Sequence, residues 1–177
     1  MYVAASKTFH STRVTRYLIE LHIASADYDL AERALEVYEQ IIDKAKKTRG
    51  KGVIVVTSIP DDVDLSDQKD LQEMDTDADV LLCMTQGVRL QVKFLKNAKK
   101  AVDIARRAAK YCAEWNVMDD RVNGEVWHAM GLALSLYSDQ LLDGDKREEY
   151  HQTALEALQK ALQHLPTFTV YYHARTG

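Results

Sequence analysis

The chain has 177 residues, 46% of them hydrophobic and 28% charged, with a formal net charge of −4. That is enough for a domain with a real core, and the composition is that of an ordinary folded protein. No apolar run approaches the ~20 residues that cross a bilayer, the stretch after Met1 is too polar for a signal peptide, and two cysteines within helical patterns, Cys83 and Cys112, argue for a reducing compartment rather than a disulfide framework.

Only 7 Gly and 2 Pro are present, with Pro60 and Pro166 where helices should stop, which suits a mostly helical chain. The charge is unevenly spread. Residues 61–79 carry nine acids against Lys69, a net of −8, so the rest of the chain is mildly basic.

In chain order, residues 14–25 are expected to form a helix with an apolar stripe of Val14, Leu18, Leu21 and Ile23. A second helix follows over 28–47, with Leu30, Ala31, Ala34, Leu35, Tyr38, Ile41, Ile42 and Ala45 inward. Its lysine-rich end suits the negative end of the helix dipole, and Gly50 and Gly52 stop it. Residues 48–76 read as an acidic, mobile inter-hairpin loop that includes a strand-like Val53-Ile-Val-Val56.

Helix returns near Asp77, capped by Asp75, Thr76 and Asp77 and complemented by Asp79. Val80, Leu81, Met84, Val88, Val92 and Leu95 give it an apolar face. After a break near Asn97, residues 98–114 present a small-residue face of Ala98, Ala101, Val102, Ala105, Ala108, Ala109 and Cys112, which lets helices approach closely. Further helices are expected over 124–137 and 148–164, separated by a loop at 138–146. Pro166 ends the last, and a seventh begins near Phe168.

Two Glu-x-x-His pairs, Glu125 with His128 and Glu148 with His151, raise the alternative of a metal-dependent helical-bundle oxidase. Glu148 directly follows a polar loop, and partner glutamates on other apolar faces are not evident. A glutamate at a helix start is the simpler reading. Asp75, Asp77 and Asp79 imitate half a calcium loop, but Val80 and Gln86 replace its Gly and Glu. Both cysteines sit on apolar faces as core residues do. No phosphate loop is present. No catalytic, cofactor or metal residue is assigned, and no enzyme is expected.

The basic residues are more suggestive. Arg89, Lys93, Lys96 and Lys100 recur at steps of four, three and four, a single stripe if one helix runs far enough. Residues 89–110 hold eight basic residues against Asp103. This is a candidate surface for acidic protein segments or anionic lipid, or a solvated face, or a surface masked by the acidic 61–79 segment. Nucleic acid is disfavoured because interleaved aromatics are lacking.

Trp127, Gly131, Ala154, Leu158, Ala161 and Pro166 then reproduce the signature spacing of a tetratricopeptide repeat, stretched in the middle by about 11 residues. Ala101, Ala105 and Ala108 repeat the offsets of Ala154, Leu158 and Ala161. Near residue 28 the pattern recurs as Ala31 and Leu35, with Tyr38 where a small residue is usual. The implied fold is all-α: about three tetratricopeptide-like antiparallel hairpins stacked as a short right-handed solenoid, plus a partial seventh helix. Residues 1–177 would form one helical-repeat domain, a fragment of a longer solenoid.

Ala26-Asp-Tyr-Asp-Leu-Ala-Glu-Arg-Ala-Leu35, the acidic insertion after it, Glu125-Val-Trp-His-Ala-Met-Gly131 and Ala154-Leu-Glu-Ala-Leu-Gln-Lys-Ala-Leu162 resemble the fungal scaffold subunit of the plasma-membrane phosphatidylinositol 4-kinase complex. The resemblance implies a non-enzymatic adaptor, cytoplasmic and recruited to the plasma membrane. Its partners would be the lipid kinase and a membrane-anchored helical-repeat protein. A co-chaperone carboxylate clamp is improbable. Its slots would hold Arg16, Glu20, Gly87, Glu125 and Ala129, and only Arg16 has suitable chemistry.

Overall fold

The structure, a computed structural model, describes residues 11–49 and 75–165. Every regular element among them is helical, so the chain is all-α there. They belong to two compact units, Met1–Asp75 and Thr76–Gly177. Most of the expected 48–76 loop, Pro166 and the expected seventh helix lie outside the described residues.

The first unit is a hairpin of α1 (Thr12–Ala24) and α2 (Tyr28–Arg49). The Ser11 hydroxyl caps α1, accepting from the Val14 amide at 3.3 Å. The helix ends with Ala26 in the left-handed region (φ 62°). There the Asp27 amide donates to His22 O and the Ala26 amide to Ile23 O, the pair of hydrogen bonds that closes a helix C-terminus.

The inward face of α1 is not the one the hydrophobic spacing picks out. Thr12, Thr15 and Ile19 are buried, whereas Val14, Leu18 and Leu21 are exposed and Ile23 is half-buried. Polar anchoring decides the rotation. Thr12 and Arg16 both bind Asp75, and one hairpin partner covers only one face of a helix. On α2, Ala31, Leu35, Tyr38 and Ile42 are buried as expected, while Leu30 is exposed.

Tyr38 occupies the slot where a repeat would hold a small residue, and it is fully buried. Its hydroxyl donates to Asp75 Oδ2 at 2.8 Å. Arg16 grips the same carboxylate with Nε (3.1 Å) and Nη2 (3.0 Å), and the Asp75 amide donates to Thr12 Oγ1 at 2.8 Å. Asp75 is thus held by side chains from both helices of this hairpin.

The second unit contains α3 (Asp77–Leu90), a π-helical turn (Gln91–Leu95), α4 (Ala98–Glu114), α5 (Asp120–Gln140) and α6 (Gly144–His164). Side chains cap each start. Thr76 and Asp79 form a reciprocal capping box on α3, and Asn97, Asp119 and Asp143 cap α4, α5 and α6. Helix α5 is central and packs on α3, α4 and α6. The small-residue face of α4 is buried as its spacing predicts, apart from half-buried Ala109.

Helices α5 and α6 are each 21 residues long, so the expected loop at 138–146 shrinks to Leu141, Leu142 and Asp143. The extra residues of the stretched repeat extend both helices instead. Asp143 nucleates α6 early by accepting from the Asp145 and Lys146 amides, and Tyr137 meets Tyr150 edge-to-face at 4.9 Å to bind the lengthened arms.

Candidate functional site

The repeat-signature residues meet in the α5–α6 hairpin. Gly131 faces Leu158 and Ala154 so closely that a Cβ there would lie 2.5 Å from Leu158 Cγ and 3.3 Å from Ala154 O. Ala154, Leu158 and Ala161 are buried along the facing side of α6. Gly124, which the repeat spacing does not mark, is equally confined: its Cβ would lie 2.5 Å from Leu165 Cβ. Trp127 remains half-buried, with Lys160 Nζ 4.5 Å from its ring centroid.

Trp127 forms one wall of a notch of about 230 Å³ between α4 and α5. Ala109 and Ala113 make the opposite wall, and Cys112, Asn123 and Val117 contribute to its lining. The Cys112 thiol donates to Asn123 Oδ1 at 2.8 Å, and Asn123 Nδ2 donates to Val117 O at 3.0 Å. Burial pushes the Cys112 thiol above its ordinary value. That is the opposite of what a nucleophilic cysteine needs. The notch is lined by both polar and apolar groups, and its thiol is poorly activated.

The four basic residues of the expected stripe do not share one helix. Helix α3 gives way to the π-helical turn after Leu90, Lys96 adopts the left-handed region (φ 54°), and Asn97 starts α4. Arg89 is ion-paired with Glu125 of α5. Lys93 and Lys96 are exposed, and the Lys96 carbonyl accepts from Gln140 Nε2 at 3.0 Å. Lys100 lies half-buried in the first turn of α4. A stripe at four-three-four spacing requires an unbroken α-helix, and the π turn shifts the register.

The Glu-x-x-His pairs are dispersed. Glu125 is held by Arg89, His128 is buried, Glu148 is exposed and His151 is half-buried. Among the described residues no three His, Cys, Asp or Glu side chains converge to hold a metal. Asp75 and Asp79 serve the Arg16 contact and the capping box. Of the clamp positions, Arg16 is committed to Asp75 and Glu20, while Gly87 and Ala129 are buried. No helix among the described residues is long and apolar enough to cross a membrane.

Sequence reasoning weighed Asp75 as a cap and as part of an incomplete calcium loop, and missed its contacts with the side chains of Thr12, Arg16 and Tyr38. Its place just before a Thr-x-x-Asp capping box was the available signal. Gly124 was missed because its close neighbour Leu165 is 41 residues away, beyond any local pattern.

No known family profile matches the chain, and no solved structure matches it. The chain is similar to a Schizosaccharomyces pombe protein, ypp1, to which a cargo-transport role is ascribed. The two are 23% identical over 171 residues, 96% of this chain and 19% of the relative. The chain therefore spans about a fifth of the length of this curated relative.

Proposed function

We propose that the chain is a non-enzymatic scaffold that binds other proteins, and that it helps assemble a phosphatidylinositol 4-kinase complex at the plasma membrane. The observation that carries the scaffold reading is the fit of Gly131 against Leu158 and Ala154. It turns the repeat spacing into a packed helical hairpin. Stacked hairpins of this kind are binding surfaces rather than catalytic frameworks. The similarity to a protein with an ascribed cargo-transport role supports an adaptor. The kinase complex comes from the resemblance in the 26–35, 125–131 and 154–162 segments.

In this reading residues 1–177 belong to one helical-repeat array. The partners are the lipid kinase and a membrane-anchored helical-repeat protein, and recruitment to the plasma membrane is peripheral. Lys93, Lys96 and Lys100 belong to its partner-facing or anion-facing surface, whereas Arg89 is engaged within the fold. Affinity capture from cytosol at mild salt should recover a lipid kinase subunit. Recovery of other proteins without it would overturn the kinase assignment and leave the scaffold.

A further inference from the structure

We propose that the exposed apolar stripe of α1, formed by Val14, Tyr17, Leu18 and Leu21, docks a second copy of this chain in antiparallel orientation. The inference goes beyond the scaffold reading and does not rest on it.

The stripe exists because α1 turns Thr12, Thr15 and Ile19 inward. Residues at i, i+3, i+4 and i+7 share one face of a helix. Val14, Tyr17, Leu18 and Leu21 have that spacing on the opposite face, and each is between 39% and 61% exposed. The Arg16 guanidinium lies 5.1 Å from the Tyr17 ring centroid and steadies the ring without covering it. Apolar residues exposed singly are ordinary, but four that adjoin mark an association surface.

The stripe is complementary to itself. In a two-fold interface one patch meets its own copy, so residue i contacts j and j contacts i. An antiparallel pair with its axis between Tyr17 and Leu18 sets Val14 of one copy against Leu21 of the other, and Tyr17 against Leu18. Every apolar residue of the stripe then gains an apolar partner.

The flanking charges select the orientation. Arg13 and Glu20 lie seven residues apart on one flank of the stripe, beside Tyr17. Arg13 is exposed, and the Glu20 side chain is 40% exposed, with a long 3.7 Å contact to Arg16. Antiparallel helices bring like flanks together, whereas parallel helices oppose unlike ones. About the Tyr17–Leu18 axis, Arg13 and the second copy's Glu20 are offset by two residues, about 3 Å along the helix. The two-fold axis repeats this pair at the other end, so opposite charges border the seam twice. One 13-residue helix per copy makes a seam smaller than the ~1,200–2,000 Å² of a standard interface. The dimer is therefore weak, and dilute chain is monomeric.

The test is sedimentation equilibrium of the purified chain over a range of concentrations. The average mass should rise towards that of a dimer as concentration increases. Leu21→Asp should lower the association constant about tenfold or more. Leu142→Asp makes the same change at a residue 99% exposed between α5 and α6, and should associate like the parent. Arg13→Glu and Glu20→Arg should each weaken self-association severalfold, because each sets like charges against one another. Mixed in equal amounts, these two variants should recover the parent's association, since each supplies the charge the other needs. Thermal unfolding verifies that each variant folds, and the charge variants keep the test decisive if Leu21→Asp does not. A chain that stays monomeric at about 1 mM would overturn the proposal and leave the stripe to a helix of another protein. Association untouched by Leu21→Asp, equal loss in Leu142→Asp, or no recovery in the mixture would also overturn it.

Discussion

Arg16 and Asp75 meet in a two-pronged contact, Nε to Oδ2 at 3.1 Å and Nη2 to Oδ1 at 3.0 Å, with the Asp75 side chain fully buried. They lie 59 positions apart in the sequence. Tyr38 completes the carboxylate's coordination from α2. Asp75→Ala would take this carboxylate from both the Arg16 guanidinium, which keeps Glu20, and the buried Tyr38 phenol. Removing one partner of a buried ion pair is expected to destabilise by about 3 kcal/mol, read as a lowered denaturant midpoint. Tyr38→Phe, which deletes one hydrogen bond, should cost about 1 kcal/mol. Equal losses for the two variants would show that the pair, not the phenol, is marginal.

Gly131→Ala should destabilise the second unit by about 1–3 kcal/mol, because the new methyl must displace the buried Leu158 side chain. Leu158→Ala alone opens a cavity and should cost about 2–5 kcal/mol. Combining them should cost less than the sum, since the methyl fills space that Leu158 vacates. A double-mutant cycle with strictly additive losses would contradict this packing.

The rotation of α1 can be measured directly. Ile19→Ala should cost about 2–4 kcal/mol, as for a buried core residue. Leu21→Ser should change stability by no more than about 0.5 kcal/mol, since Leu21 is 61% exposed. The reverse ranking would restore the face that the hydrophobic spacing selects.

Ala26→Gly should stabilise by about 1 kcal/mol. An alanine at φ 62° bears the left-handed penalty that glycine escapes, and this outweighs glycine's larger unfolded-state entropy. Thermal unfolding of the first unit should shift upward.

Cys112 sets a pH dependence. Its thiol is raised by burial, so the folded state holds its proton more tightly than the unfolded chain. Its contribution is fully present below the unfolded thiol value, about pH 8.5, and is lost as pH rises through the folded value. Cys112→Ser should flatten the alkaline decline in stability. Alkylation of folded Cys112 near neutral pH should also be slower than that of an exposed thiol. Fast labelling without unfolding would contradict the burial.

The helices were legible because their causes are local, although α5 and α6 start at Asp120 and Gly144, four residues before the expected 124 and 148. A cap such as Thr76 acts within one turn, and the small-residue run of 98–112 needs only periodicity to be seen. The candidate surface was read only in part. Its lysines were visible, but their stripe assumed a continuous helix, and the π turn at Gln91–Leu95 arises in a fold where Gln91 is fully buried.

The amino-acid sequence by itself determined the helices of the described residues, most of the inward positions, and which residues of α5 and of α6 carry the small-residue faces, because helical period and small-residue spacing are properties of neighbours along one helix. Tertiary structure alone decided which face of α1 turns inward, where Asp75 is spent, that the stretched repeat lengthens its helices, and which cations remain open to a partner. Each depends on groups brought together from distant positions, Arg16 with Asp75 and Arg89 with Glu125, whose pairing free energy no local pattern encodes.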